Sequence, residues 1–166
     1  MKKIFLVLVC VLATLGIFSG CSKNSENSEE KSVDMEELRK SMTEDEKFLL
    51  PDLLTVSDKD DVGGNLFTYL SAVDYSKVDE YFYSYSSEGL ADEIAVVKVK
   101  SKEDVTLMKE SLQEHMNSRI KLFKNYDESQ VETAENAIIV THDKYVALIV
   151  SKQNGSIKEA FDKVFP

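Results

Sequence analysis

Twice along this chain, two strand-like segments joined by a tight turn are followed by a helix, and this order restricts the fold more than any other feature. Val78 to Ser86 alternates as a strand, with Tyr81, Tyr83 and Tyr85 on one side and Val78 and Phe82 on the other. After a Ser-Ser-Glu-Gly turn, Ile94 to Val99 is β-branched and apolar and pairs back as a hairpin. Ser101 with Asp104 then caps a helix running to about Asn125, whose stripe Val105, Met108, Leu112, Met116, Ile120 and Phe123 steps by three and four. Asp127 with Gln130 caps a short helix. A second hairpin follows, Ala137 to Thr141 and Tyr145 to Val150 around His142-Asp143-Lys144. Both of its strands are apolar on two faces, as in the middle of a sheet covered on both sides. Ser156 with Glu159 opens a last helix with the stripe Ile157, Ala160, Phe161 and Val164. Short turns join neighbouring strands, so the class is α+β, with a small, largely antiparallel four-stranded sheet built from two hairpin-helix units.

Helices stand in front of these units. Val33 to Leu50 reads as helix, with Met35, Leu38 and Met42 at helical spacing, a capping box at Thr43 and Glu46, and Pro51 as its stop. Leu66 to Leu70 reads as a short helix. Between them, Asp58-Lys59-Asp60-Asp61-Val62-Gly63-Gly64 begins like a calcium loop, with Asp58, Asp60 and Gly63 in place. Val62 then stands at a ligand position and Tyr69 where a bidentate Glu is needed, so the stretch reads as a solvated loop.

The N-terminus sets the address. Lys2 and Lys3 precede the uncharged apolar run Ile4 to Phe18, which is the length of a secretory leader and short of the ~20 residues of a spanning helix. Phe18-Ser19-Gly20-Cys21 resembles the lipobox of bacterial lipoproteins, with Phe18 where the pattern usually has Leu. The resemblance implies a lipoprotein signal peptide over residues 1–20 and a diacylglyceryl group on Cys21. An uncleaved N-terminal anchor is the other reading of the apolar run. Residues 21–32 form a polar tether without an apolar residue after Cys21, spanning roughly 20 Å. Residues 33–166 form a single domain.

Charge narrows the partners. The net charge of -10 becomes -12 once Lys2 and Lys3 leave with the leader. A surface that acidic cannot neutralise phosphates, which speaks against nucleic acid, and it does not lie flat on anionic lipid. The expected membrane link is therefore the lipid on Cys21. Cys10 leaves with the leader, so no thiol remains for a disulfide, a metal site or a nucleophile.

The chemistry-bearing residues are few. His115 lies beside the helix stripe and His142 in a turn, neither in a metal-ligand spacing, and no GxSxG or Gly-rich phosphate loop occurs. The sequence assigns no catalytic residue, metal or cofactor. Two constellations stand out. Glu93 opens an apolar strand and Arg119 interrupts the inner side of the long helix, a candidate ion pair, either structural or ligand-contacting. The row Tyr81, Tyr83 and Tyr85 either packs under a helix or stacks on a sugar or a partner side chain.

A wider resemblance rests on Ala91-Asp92-Glu93-Ile94-Ala95-Val96, the helix carrying Arg119, Phe123-Lys124-Asn125-Tyr126, Glu135-Asn136-Ala137 and Tyr145 to Val150. Together these resemble an uncharacterised family of Firmicutes lipoproteins, domain-of-unknown-function family 4358, over Leu66 to Phe165. The resemblance implies a lipid-anchored domain at the outer face of the cytoplasmic membrane of a Gram-positive cell, and it brings no activity. The expected function is a non-catalytic module that binds an envelope protein or glycan. The alternatives are a cell-envelope hydrolase or its regulator, with a carboxylate or His142 in a cleft, and an accessory subunit of a transporter or sporulation complex.

Overall fold

A computed structural model describes residues 33–165 of the chain. The leader over 1–20, Cys21 and the tether over 21–32 lie outside the described residues. The class is α+β, and the sheet is antiparallel with five strands, not four. They are β1 (Leu53–Ser57), β2 (Val78–Ser86), β3 (Glu93–Val99), β4 (Ile138–His142) and β5 (Tyr145–Val150), in the order β1-β2-β3-β5-β4. The added strand is β1, which pairs Leu54 with Tyr85 and Val56 with Tyr83. It is five residues long, lies at an edge and is buried on neither face, with Leu54 51% exposed. An edge strand of that length carries no clean alternation, because only one neighbour and half a face hold it. β4 is the other edge and is only half-buried, whereas β5 is buried throughout, so only β5 has the interior position expected for both.

β3 shows why the centre of the sheet reads so plainly. Ala95, Val97 and Val99 enter one cluster and Ile94 and Val96 another, on opposite faces of the sheet. β2 departs from simple alternation: a bulge between Val78 and Glu80 shifts the register. Val78 therefore shares the face of Tyr81 and not, as alternation predicts, that of Phe82.

Helices cover both faces. α1 (Met35–Thr43) buries Met35, Leu38 and Met42 and is capped by Asp34, whose carboxylate accepts from the backbone N–H of Glu36 and Glu37 at 2.9 and 3.0 Å. It ends at Thr43. The expected continuation to Leu50 is a separate 3₁₀ turn, Glu46–Phe48, capped by Asp45, with Leu49 at φ 49° closing it. The capping box expected at Thr43 and Glu46 is not made, since the Thr43 hydroxyl donates to the Arg39 carbonyl, and Phe48 is buried in the same cluster through a turn instead of a helix. α1 and α5 (Asn154–Asp162) pack together on this face, α1 on β2 and β3, α5 on β5 and β4.

On the other face, α2 (Gly63–Phe67) begins earlier than predicted and packs on β1. α3 (Asp104–Tyr126) packs on β3, β4 and β5 and buries Met108, Leu112, Met116 and Phe123. Its expected cap is not made: the Ser101 hydroxyl bonds Glu103, and Asp104 pairs with Lys77 Nζ at 2.5 Å. A 3₁₀ turn capped by Asp127 and α4 (Val131–Glu135) then lead into β4.

The acidic loop before α2 is a brace. Asp58 Oδ1 accepts the Tyr81 backbone N–H at 3.0 Å and Asp60 Oδ2 that of Ser57 at 2.6 Å, so these two carboxylates are spent on the backbone and do not simply face solvent. Gly63 begins α2 so close to β1 that a Cβ would stand 2.4 Å from the Ser57 carbonyl oxygen. Gly63→Ala should accordingly lower stability by about 1–3 kcal/mol, because backbone must move. Urea unfolding checks this, and an unchanged midpoint would refute the close approach.

Candidate functional site

The helix layer over β1–β2 is incomplete, and that gap is the site. α3 rests on β3, β5 and β4, α2 rests on β1, and β2 runs between the two supports. A largely apolar cleft of about 300 Å³ opens there. Val56 of β1, Leu66 of α2 and Tyr69 just beyond it form one wall. Tyr83 and Tyr85 come from β2, and His115 and Arg119 from α3. His115 and Arg119 are one helical turn apart, which puts both on the same face of α3.

Behind this wall lies Glu93, the first residue of β3, 1% exposed. Its Oε2 is 2.6 Å from His115 Nε2 and its Oε1 is 2.5 Å from Arg119 Nε. The arginine contact is an ion pair out of hydrogen-bond alignment, so neither atom of it has a hydrogen-bond partner. Arg119 is further fixed by Nη2 donating to the Leu90 carbonyl at 3.2 Å and by its guanidinium lying 4.6 Å over the Phe123 ring. Burial alone would raise the Glu93 carboxyl. The His115 hydrogen bond and the charges of His115 and Arg119 outweigh it and hold the group below the usual carboxylate range. Burial and the nearby Glu93 carboxylate push the Tyr83 hydroxyl well above the ordinary tyrosine range. The Tyr83 ring lies 5.0 Å from Tyr85 and 6.2 Å, edge-on, from His115.

Among the residues singled out in the sequence, Glu93 and Arg119 meet as a pair, and Tyr83 and Tyr85 line the same cleft. Tyr81 does not: it shares their face but is fully buried, its hydroxyl donating to the Gly63 carbonyl at 2.7 Å and its ring edge-on to Phe67 and Tyr75. The row is therefore not one accessible surface. His142 is exposed at the β4–β5 turn and stacks on Phe165 at 4.2 Å, away from the cleft. The histidine in the cleft is His115, against Glu93, and not His142, which the hydrolase alternative names with a carboxylate as candidates for a cleft. The signal for His115 was present in its spacing of four from Arg119. Tyr69, Val56 and Leu66 carried none, since α2 and β1 reach the site only through tertiary packing.

Among the residues that line the cleft there is no serine, threonine or cysteine, and its one carboxylate is sealed behind His115 and Arg119. The arrangement can bind and orient a small group. A family model described as "Domain of unknown function (DUF4358)" matches residues 54–151, beginning earlier and ending sooner than the resemblance read from the sequence. That span holds every residue of the cleft, while α1 and α5 fall outside it. No curated protein and no solved structure matches the chain.

Proposed function

Because the chain belongs to the DUF4358 family of unknown function, which carries no activity to transfer, we propose from the geometry that the domain is a non-catalytic binding module whose ligand enters the α2–α3 cleft. The observation that carries this is a recognition wall without a nucleophile: tyrosine rings, one imidazole and one guanidinium stand over a carboxylate that substrate cannot touch. A glycosidase needs two carboxyls flanking the scissile bond, and this cleft has one, buried. The module is carried as a lipoprotein, tethered through the lipid on Cys21 at the outer face of the cytoplasmic membrane of a Gram-positive bacterium, and its partner is an envelope protein or glycan. The lipobox-like Phe18-Ser19-Gly20-Cys21 and the polar stretch after it support that placement.

Two measurements test the two halves. Cys21→Ser should abolish labelling by radioactive palmitate in the host and leave the leader uncleaved, and undiminished labelling would remove the anchor. Immobilised full-length protein should enrich one envelope component that Tyr69→Ser and Tyr85→Ser together release. An enrichment unchanged by those substitutions would take binding away from the cleft.

A second reading has one observation in its favour. The 2.6 Å Glu93–His115 contact orients an imidazole toward the cleft as in general-base catalysis, which supports an envelope hydrolase acting through water. Turnover of peptidoglycan fragments that His115→Gln abolishes would establish it.

A further inference from the structure

Resting on the binding reading above, we propose that the α2–α3 cleft takes a neutral sugar ring. Size is the first argument. About 300 Å³ is the volume of about ten waters at ~30 Å³ each, suited to one six-membered ring with its substituents. Charge is the second. Glu93 lies 2.5 Å from Arg119 Nε and cancels the guanidinium, so Arg119 offers an anion no uncompensated charge.

The polar atoms left over give the third. Glu93, held ionised, can only accept, so His115 Nε2 donates to it, and Nδ1 is left without a hydrogen bond among the described residues. On Arg119, Nε faces Glu93 and Nη2 faces Leu90, and Nη1 makes no hydrogen bond among the described residues. Both residues line the cleft and neither Nδ1 nor Nη1 is fully buried, so both nitrogens can meet a ligand there. A hydroxyl both donates and accepts, so it satisfies Nδ1 in either protonation state and Nη1 as well. An aromatic side chain without a hydroxyl, such as phenylalanine's, would leave both unmet. The tyrosines supply the remaining surface. Tyr69, 72% exposed at the mouth, and Tyr85 within it present flat apolar bodies to the C–H face of a sugar ring.

The chain has no tryptophan, and three of its seven tyrosines, Tyr69, Tyr83 and Tyr85, line the cleft, so tyrosine emission carries a signal from it. Full-length protein in detergent is titrated with chitotriose, citrate and phenylalaninamide, with excitation at a wavelength that phenylalanine does not absorb. Chitotriose should change the emission saturably, Tyr69→Ala should weaken it at least tenfold, and Tyr69→Phe should retain it. Tyr69 is exposed, so neither variant should shift the unfolding temperature without ligand. Binding of citrate or phenylalaninamide with chitotriose silent would overturn the sugar and leave the binding reading standing. Silence of all three probes would overturn the sugar too, with envelope capture still deciding the module. Cleavage of chitotriose by the native protein but not by His115→Gln would instead overturn the binding reading.

Discussion

Replacing Arg119 by methionine should destabilise the domain by about 3–5 kcal/mol near neutral pH, the usual consequence of leaving a buried charge without its partner. Glu93 is 1% exposed and ionised, and His115 alone would have to balance it. The pH dependence has a definite sign. In the native protein the folded Glu93 carboxyl is held below its ordinary range, so its contribution is present above the unfolded pKa and is lost as pH falls through the folded value. Without Arg119, one of the charges that hold the carboxyl down is gone and its pKa moves up. The variant therefore loses less than the native protein as pH falls, and its deficit narrows on acidification. Substituting Glu93→Met alongside Arg119→Met should recover most of the loss, because both charges leave the interior together. Urea midpoints at several pH values measure all three. A deficit that widens toward acid, or a double variant weaker than the single, would show that the pair does not balance the buried charge.

Tyr81→Ala should cost about 3–5 kcal/mol, the range for emptying a large aromatic site. The ring is fully buried between Phe67 and Tyr75, where α2 closes on the sheet. Tyr81→Phe keeps the ring and deletes only the 2.7 Å bond to the Gly63 carbonyl, so its expected cost is about 1 kcal/mol. The gap between the two variants separates packing from hydrogen bonding at one position. Equal losses would mean that the hydroxyl, and not the ring, holds α2. A small loss for Tyr81→Ala would return the residue to the accessible row that the sequence suggested.

How far the site could be read in advance follows from the same residues. Glu93 and Arg119 were legible because a charge at the head of an apolar strand and another inside an apolar helix stripe must find each other or water. The tyrosine row was legible as a face and not as a surface. Alternation tells which side a residue takes, and only the position of α2 decides that Tyr81 is covered while Tyr85 is not. His115 carried only an ambiguous signal, because a histidine beside a stripe has no evident role until a carboxylate is placed opposite it.

What the sequence by itself determined is the set of strongly periodic elements: the β2–β3 and β4–β5 hairpins, the α3 stripe, the last helix and the α+β class. Each of these has a local cause, in alternation, helical spacing or turn residues, that acts within a few residues of the chain. Tertiary structure alone decided the fifth strand, the edge position of β4, the bulge that moves Val78 across the sheet, the end of α1 at Thr43, and the cleft. Those features depend on which segments meet across long sequence separations. β1 is a strand because β2 pairs with it, and the cleft exists because a long helix and a short one do not together cover one face of five strands.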